Sequence, residues 1–115
     1  MSQDCLFCRI IGGEIPSEFV YEDENCVAFN DISPQAPTHV LVVPRKHIDS
    51  LDTADDSDTP LLGSLLSAAS KIAREKGFND GGYRVVINTN ADGGQTVFHI
   101  HVHLLGGRTF VFPPG

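Results

Sequence analysis

From Phe98 to Leu104 the chain alternates apolar and histidine residues without a break: Phe98-His99-Ile100-His101-Val102-His103-Leu104. A period of two is that of an extended strand. The pattern therefore predicts a strand with His99, His101 and His103 on one face and Phe98, Ile100, Val102 and Leu104 on the other. Three titratable rings on one face forfeit the hydrophobic burial which that face could have supplied. Such a cost implies chemistry, either metal ligation or proton transfer and nucleophilic attack by an imidazole nitrogen.

The remaining chain must build a fold around that strand. At 115 residues and 41% hydrophobic it suits one compact domain over residues 1–115. Cys5 to Ile11 places Leu6, Phe7, Ile10 and Ile11 at helical spacing, and Gly12-Gly13 supplies a stop. Phe19-Val20-Tyr21 and Cys26-Val27-Ala28-Phe29 read as strands joined at Asp23-Glu24-Asn25, a hairpin. Asp31 to Thr38 holds two prolines and cannot be central strand, whereas Val40-Leu41-Val42-Val43 is apolar on both faces and suits one, ended by Pro44. His39 begins this strand and His47 lies past its end, so the two should do different jobs.

After a polar connection, Leu61, Leu62, Leu65, Leu66, Ala69, Ile72 and Ala73 form the stripe of one long helix. Pro60 stands at its first position, Asp58 or Thr59 as cap, and Gly77 as stop. Tyr83 to Asn88 reads as another strand. Asn88 to Gln95 (NTNADGGQ) is either a plain hairpin loop or, through Gly93-Gly94, a set of backbone N–H groups open to an anion. The apolar tail from Phe110 to Gly115 should dock on its own domain or on a partner subunit.

A net charge of −7, with eight basic against 15 acidic residues, excludes a surface that binds nucleic acid through its backbone phosphates. An anionic ligand would need a local pocket. No apolar run approaches a membrane span and Met1-Ser2-Gln3-Asp4 lacks a basic leader, so the expectation is a cytoplasmic protein with no membrane partner. Three cysteines, two of them spaced C-x-x-C at Cys5 and Cys8, fit a reducing compartment rather than a disulfide framework.

The run His99-Ile100-His101-Val102-His103-Leu104-Leu105 resembles the signature of the histidine-triad (HIT) superfamily. Asp31-Ile32-Ser33-Pro34-Gln35-Ala36-Pro37-Thr38-His39, Gly93-Gly94-Gln95, Gly106-Gly107-Arg108 and Pro113-Pro114-Gly115 are similar to its Hint branch, the purine nucleoside phosphoramidases. The resemblance implies an α+β fold, a five-stranded antiparallel sheet with two helices, paired as a homodimer across a continuous sheet. It implies a hydrolase that cleaves purine nucleoside phosphoramidates or aminoacyl-adenylate-like substrates to a nucleoside monophosphate. His101 would be the nucleophile, His103 would bond the phosphate oxygens, and His39 and His99 would complete the histidine network. Asn88, Gln95 and Thr96 match phosphate or leaving-group positions, Thr96 standing where serine is common. The nucleoside pocket carries over to Leu6, Phe7, Ile10, Ile15, Phe29, Asp31 and Ile32, with Asp31 on the ribose hydroxyls.

Catalysis by this route needs no cofactor. In other branches of the superfamily, residues matching Cys5, Cys8, His47 and His99 bind a structural zinc; the alternative here is a pair of buried free thiols. Phe112 stands where many relatives carry tryptophan. Two other functions stay open by resemblance: a dinucleoside polyphosphate hydrolase or nucleotidyl transferase, and a nucleotide-binding adaptor with incidental hydrolysis.

Overall fold

The computed structural model describes residues 4–115. Its elements are α1 (Leu6–Ile11), β1 (Phe19–Glu22), β2 (Cys26–Asn30), β3 (Thr38–Pro44), α2 (Thr59–Glu75), β4 (Arg84–Val86) and β5 (Val102–Gly106), with two single-turn 3-10 segments between β3 and α2. The strands form one antiparallel sheet in the order β1-β2-β3-β5-β4.

The apolar run of β3 earns its central place by feeding two cores. Val40 and Val42 join Cys26, Ala28, Val102 and Leu104 under the Leu65, Ala69 and Ile72 stripe of α2. Leu41 and Val43, on the opposite face, join Val27 and Phe29 under Phe7 and Ile10 of α1. Each fully buried Leu or Ile in these layers is worth about 1.5–3 kcal/mol relative to exposure. The long helix thus covers one side of the sheet, and the other is left for α1 and the histidines.

Two strands are shorter than the sequence predicts. The histidine strand does not begin at Phe98: regular pairing starts at Val102, and the chain bends at 97–99. In the register that sets Val42 opposite Val102, Ile100 would fall opposite Pro44, which has no N–H to continue the ladder. The Ile100 N–H instead donates to the Ile48 carbonyl at 2.7 Å. Ile100, Val102 and Leu104 are still buried, while Phe98 is 48% exposed. The strand read at Tyr83 to Asn88 is likewise shortened, to Arg84–Val86.

At the start of α2, Pro60 is the second helical residue rather than the first. Asp58 occupies the cap position but does not cap the helix with its side chain. Its carboxylate accepts from Asp55 N–H at 3.1 Å and from Lys46 Nζ at 2.6 Å, so it closes the preceding turn instead. The helix runs 17 residues and gives way to Gly77 at φ +83°, a left-handed stop that suits glycine.

Candidate active site

The bend before β5 separates the three histidines into two constellations. His99 is fully buried, and its Nε2–H donates to the Pro44 carbonyl at 2.8 Å. Its Nδ1 lone pair is left facing Cys5 Sγ (3.3 Å), Cys8 Sγ (3.5 Å) and His47 Nδ1 (3.1 Å). His47 gives its Nε2–H to Asp49 Oδ1 at 2.7 Å, which turns its own Nδ1 inward. Two thiols and two ring nitrogens thus converge with all four atoms within 4.8 Å of one another. Both histidines have their outer nitrogen held by an acceptor, as ligating histidines do, and a tetrahedral S2N2 donor set fits zinc. Burial lowers His99 to about 4, keeping the ring neutral as a ligand must be. Burial and the neighbouring Cys5 raise Cys8 to about 11, so a cation is what would draw a thiolate there.

The second constellation is a chain of assigned protons. The Gln35 backbone N–H donates to His39 Nδ1 at 3.0 Å, which places the His39 proton on Nε2. That Nε2–H lies 2.9 Å from His103 Nδ1, with Asp31 Oδ2 alongside at 3.4 Å. His103 therefore carries its own proton on Nε2, and this buried N–H has no hydrogen-bond partner among the described residues. His101 donates from Nδ1 to the His99 carbonyl at 2.8 Å, which leaves the Nε2 lone pair bare. The His101 and His103 rings lie 4.9 Å apart.

Burial holds His101 below the ordinary imidazole range and His103 at about 4; His101 and His39 push His103 further down, while Asp31 opposes them. A stability effect follows. The unfolded chain takes up the His103 proton near 6.5 whereas the folded chain resists until about 4, so this contribution is complete above pH 6.5 and is lost as pH falls toward 4. Urea unfolding at pH 7.5, 6 and 5 should show a midpoint that falls with pH.

In front of His101 and His103 lies a cavity of 430 Å³. Leu6, Phe7, Ile10, Ile15, Phe29, Asp31 and Ile32 all line it, together with Thr96. The Phe7 ring stands edge-on to Phe29 at 5.5 Å and to His101 at 5.0 Å. Leu41 and Val97, which sequence reasoning missed, also line the cavity. Leu41 could have been found, because it sits on the α1 face of β3 directly opposite His103.

Asn88, Gln95 and His39 lie outside the lining. The Gln95 side chain is buried and spent internally: Oε1 accepts from Asn90 N–H at 2.8 Å, and Nε2 donates to the carbonyls of Asp49 (2.7 Å) and Val97 (3.1 Å). It buckles the polar loop to the segment that carries His99. Within that loop a Cβ on Gly93 would stand 2.4 Å from the Thr89 carbonyl oxygen, so the loop closes on its own backbone there. The tail touches its own domain at β4, where the Arg84 guanidinium lies 5.2 Å from the Phe110 ring and donates to the Val111 carbonyl at 2.7 Å. Phe112 is left 85% exposed.

A sheet with a two-helix cover and a histidine pair facing an apolar slot define the histidine-triad class. The HIT domain profile matches residues 12–110, and the chain belongs to that family. It is 47% identical over 108 residues to the purine nucleoside phosphoramidase of Escherichia coli K12, covering 94% of this chain and 91% of that protein. A HIT-like protein of Synechococcus elongatus with no assigned function is 51% identical over the full length of both chains. Among solved structures, a HIT family hydrolase from Legionella pneumophila superposes with a TM-score of 0.95 at 53% identity, over 97% of this chain and all of that one. A histidine triad protein from Clostridium difficile gives 0.93 at 48% identity, over 96% of each. Among the described residues no helix is long and apolar enough to cross a membrane.

Proposed function

We propose that this chain hydrolyses purine nucleoside phosphoramidates, and aminoacyl-adenylate-like relatives of them, to nucleoside monophosphates through a nucleotidyl-His101 intermediate. The geometry that carries this reading is a pair of ring nitrogens at one cavity: His101 Nε2, left as an acceptor by the Nδ1 bond to the His99 carbonyl, beside His103 Nε2, made a donor by the contact of its Nδ1 with His39. A lone pair and a donor side by side suit attack on phosphorus with support for the oxygen that gains charge.

The purine lies between the Leu6, Phe7 and Ile10 wall and Phe29 with Ile32, and the Asp31 carboxylate accepts the ribose hydroxyls. His101 Nε2 attacks the α-phosphorus, the P–N bond breaks, and the amine leaves with a proton from solvent. His103 Nε2–H steadies a phosphate oxygen, its tautomer set by His39. Thr96 offers a hydroxyl at the cavity, and Asn88 and Gln95, outside its lining, shape the loop on the leaving-group side. Water then attacks phosphorus, the bond to Nε2 breaks, and the monophosphate departs with His101 neutral again.

Cys5, Cys8, His47 and His99 would hold a structural zinc, which when bound supplies a cross-link between α1, the end of β3 and the bend before β5. The E. coli relative's name and its 47% identity favour the phosphoramidase reading over the other activities considered. Phosphorus NMR of adenosine phosphoramidate with the purified protein should show the P–N resonance replaced by AMP; a resonance that persists at high protein concentration would sink the proposal.

We also propose a homodimer with a continuous sheet. Its support is an outer strand, β4, that presents exposed Val85, together with exposed Leu66 on α2 and Val111 and Phe112 on the tail. Light scattering should give twice the chain mass of 12.4 kDa, and a monomer mass at working concentration would refute it.

A further inference from the structure

The two constellations meet through α1. Cys5 caps this helix, its Sγ accepting the Cys8 N–H at 3.3 Å, and Cys8 stands one turn on, with both sulfurs facing His99 and Cys8 facing His47 at 3.3 Å. Phe7 and Ile10, also one turn apart, face the cavity instead. The Phe7 ring touches both sides, edge-on to His99 at 5.9 Å and to His101 at 5.0 Å. The His99 carbonyl in turn holds the tautomer of His101.

A helix of six residues does not hold itself in water. Its ion pair among the described residues, Arg9 to Glu14 at 3.9 Å, is exposed and contributes little. What keeps α1 against the sheet is the packing of Phe7 and Ile10 and the gathering of Cys5 and Cys8 onto His47 and His99.

We infer that Cys5 and Cys8 are positioning residues for the purine, and that metal held by Cys5, Cys8, His47 and His99 and nucleotide held in the cavity strengthen each other's binding through α1. The inference rests on the nucleotide and zinc readings above. With the cluster filled, the base-side wall is already ordered when the purine arrives. Without it, nucleotide binding must bear the cost of ordering α1. Because such coupling is reciprocal, AMP must raise the affinity for metal by the factor by which metal raises the affinity for AMP.

Calorimetric titration of AMP into zinc-loaded protein, and into protein stripped by a chelator and shown to be folded by circular dichroism, tests this directly. The stripped form should bind AMP about tenfold more weakly, within the usual range of coupling between sites. Zinc transfer to a competing chelator should weaken by the same factor at saturating AMP. Ribose phosphate, which lacks the base, should show no such coupling. His47→Ala removes a ligand without changing a residue of α1 and should match the stripped form.

Equal AMP affinity in loaded and stripped protein overturns the coupling while leaving the nucleotide site standing. Equal weakening of AMP and ribose phosphate overturns it as well, since general loosening then explains the loss. If stripping unfolds the chain, the competition assay on loaded protein decides alone: a metal affinity that AMP does not change is the contrary result. Failure of both forms to bind AMP overturns the nucleotide reading, failure to retain zinc overturns the metal reading, and the coupling falls with either.

Discussion

His101→Ala lowers the turnover of adenosine phosphoramidate by about a thousandfold or more, the scale of loss when a nucleophile is removed. AMP affinity should change far less, because the residues proposed to hold the purine and ribose are others lining the cavity. The fold should persist: the His101 side chain makes one hydrogen bond, to the adjacent His99 carbonyl, and removal of the ring leaves space at the cavity wall. Steady-state kinetics with calorimetric AMP binding on the same preparation separates these effects. A variant that keeps a tenth of wild-type kcat would show that phosphorus is attacked by something other than His101.

Phe7→Ala has the largest expected effect on stability. The side chain is buried against Phe29, His99 and His101, and truncating a core phenylalanine costs about 3–5 kcal/mol. Against a total of about 5–15 kcal/mol this is a large share, and the melting temperature should fall by at least about 10 °C. Phe7→Leu keeps most of the volume and should retain the fold, yet raise KM through loss of the flat purine-facing ring. Thermal unfolding of both variants with KM of the leucine form reads this out. A Phe7→Ala melting temperature within a few degrees of wild type would mean that α1 contributes little to the core.

The histidine alternation was legible because burial follows it: Ile100, Val102 and Leu104 turn inward whether or not the ladder is regular. Where the ladder stops was not legible, since that depends on Pro44 falling opposite Ile100 and on the distant Ile48 carbonyl. Asp58 was legible as the N-cap of α2; that its side chain closes the preceding turn instead was not, because Lys46 holds the carboxylate across that turn. Nothing local to Gln95 shows that its amide reaches back to Asp49. The proton chain from Gln35 through His39 to His103 depends on the proline loop folding over the start of β3, which spacing alone does not show. The cavity residues came from the family resemblance; apolar spacing would have placed the same side chains in the core.

The central claim is a covalent bond between His101 and phosphorus. Hydrolysis of an adenosine phosphoramidate made chiral at phosphorus by one sulfur substitution, carried out in heavy-oxygen water, tests it without requiring the intermediate to accumulate. Attack by His101 followed by attack by water inverts phosphorus twice, so the thiophosphate product should show overall retention of configuration. Overall inversion would mean that water displaces the amine in one step, and the nucleotidyl-histidine account would be wrong.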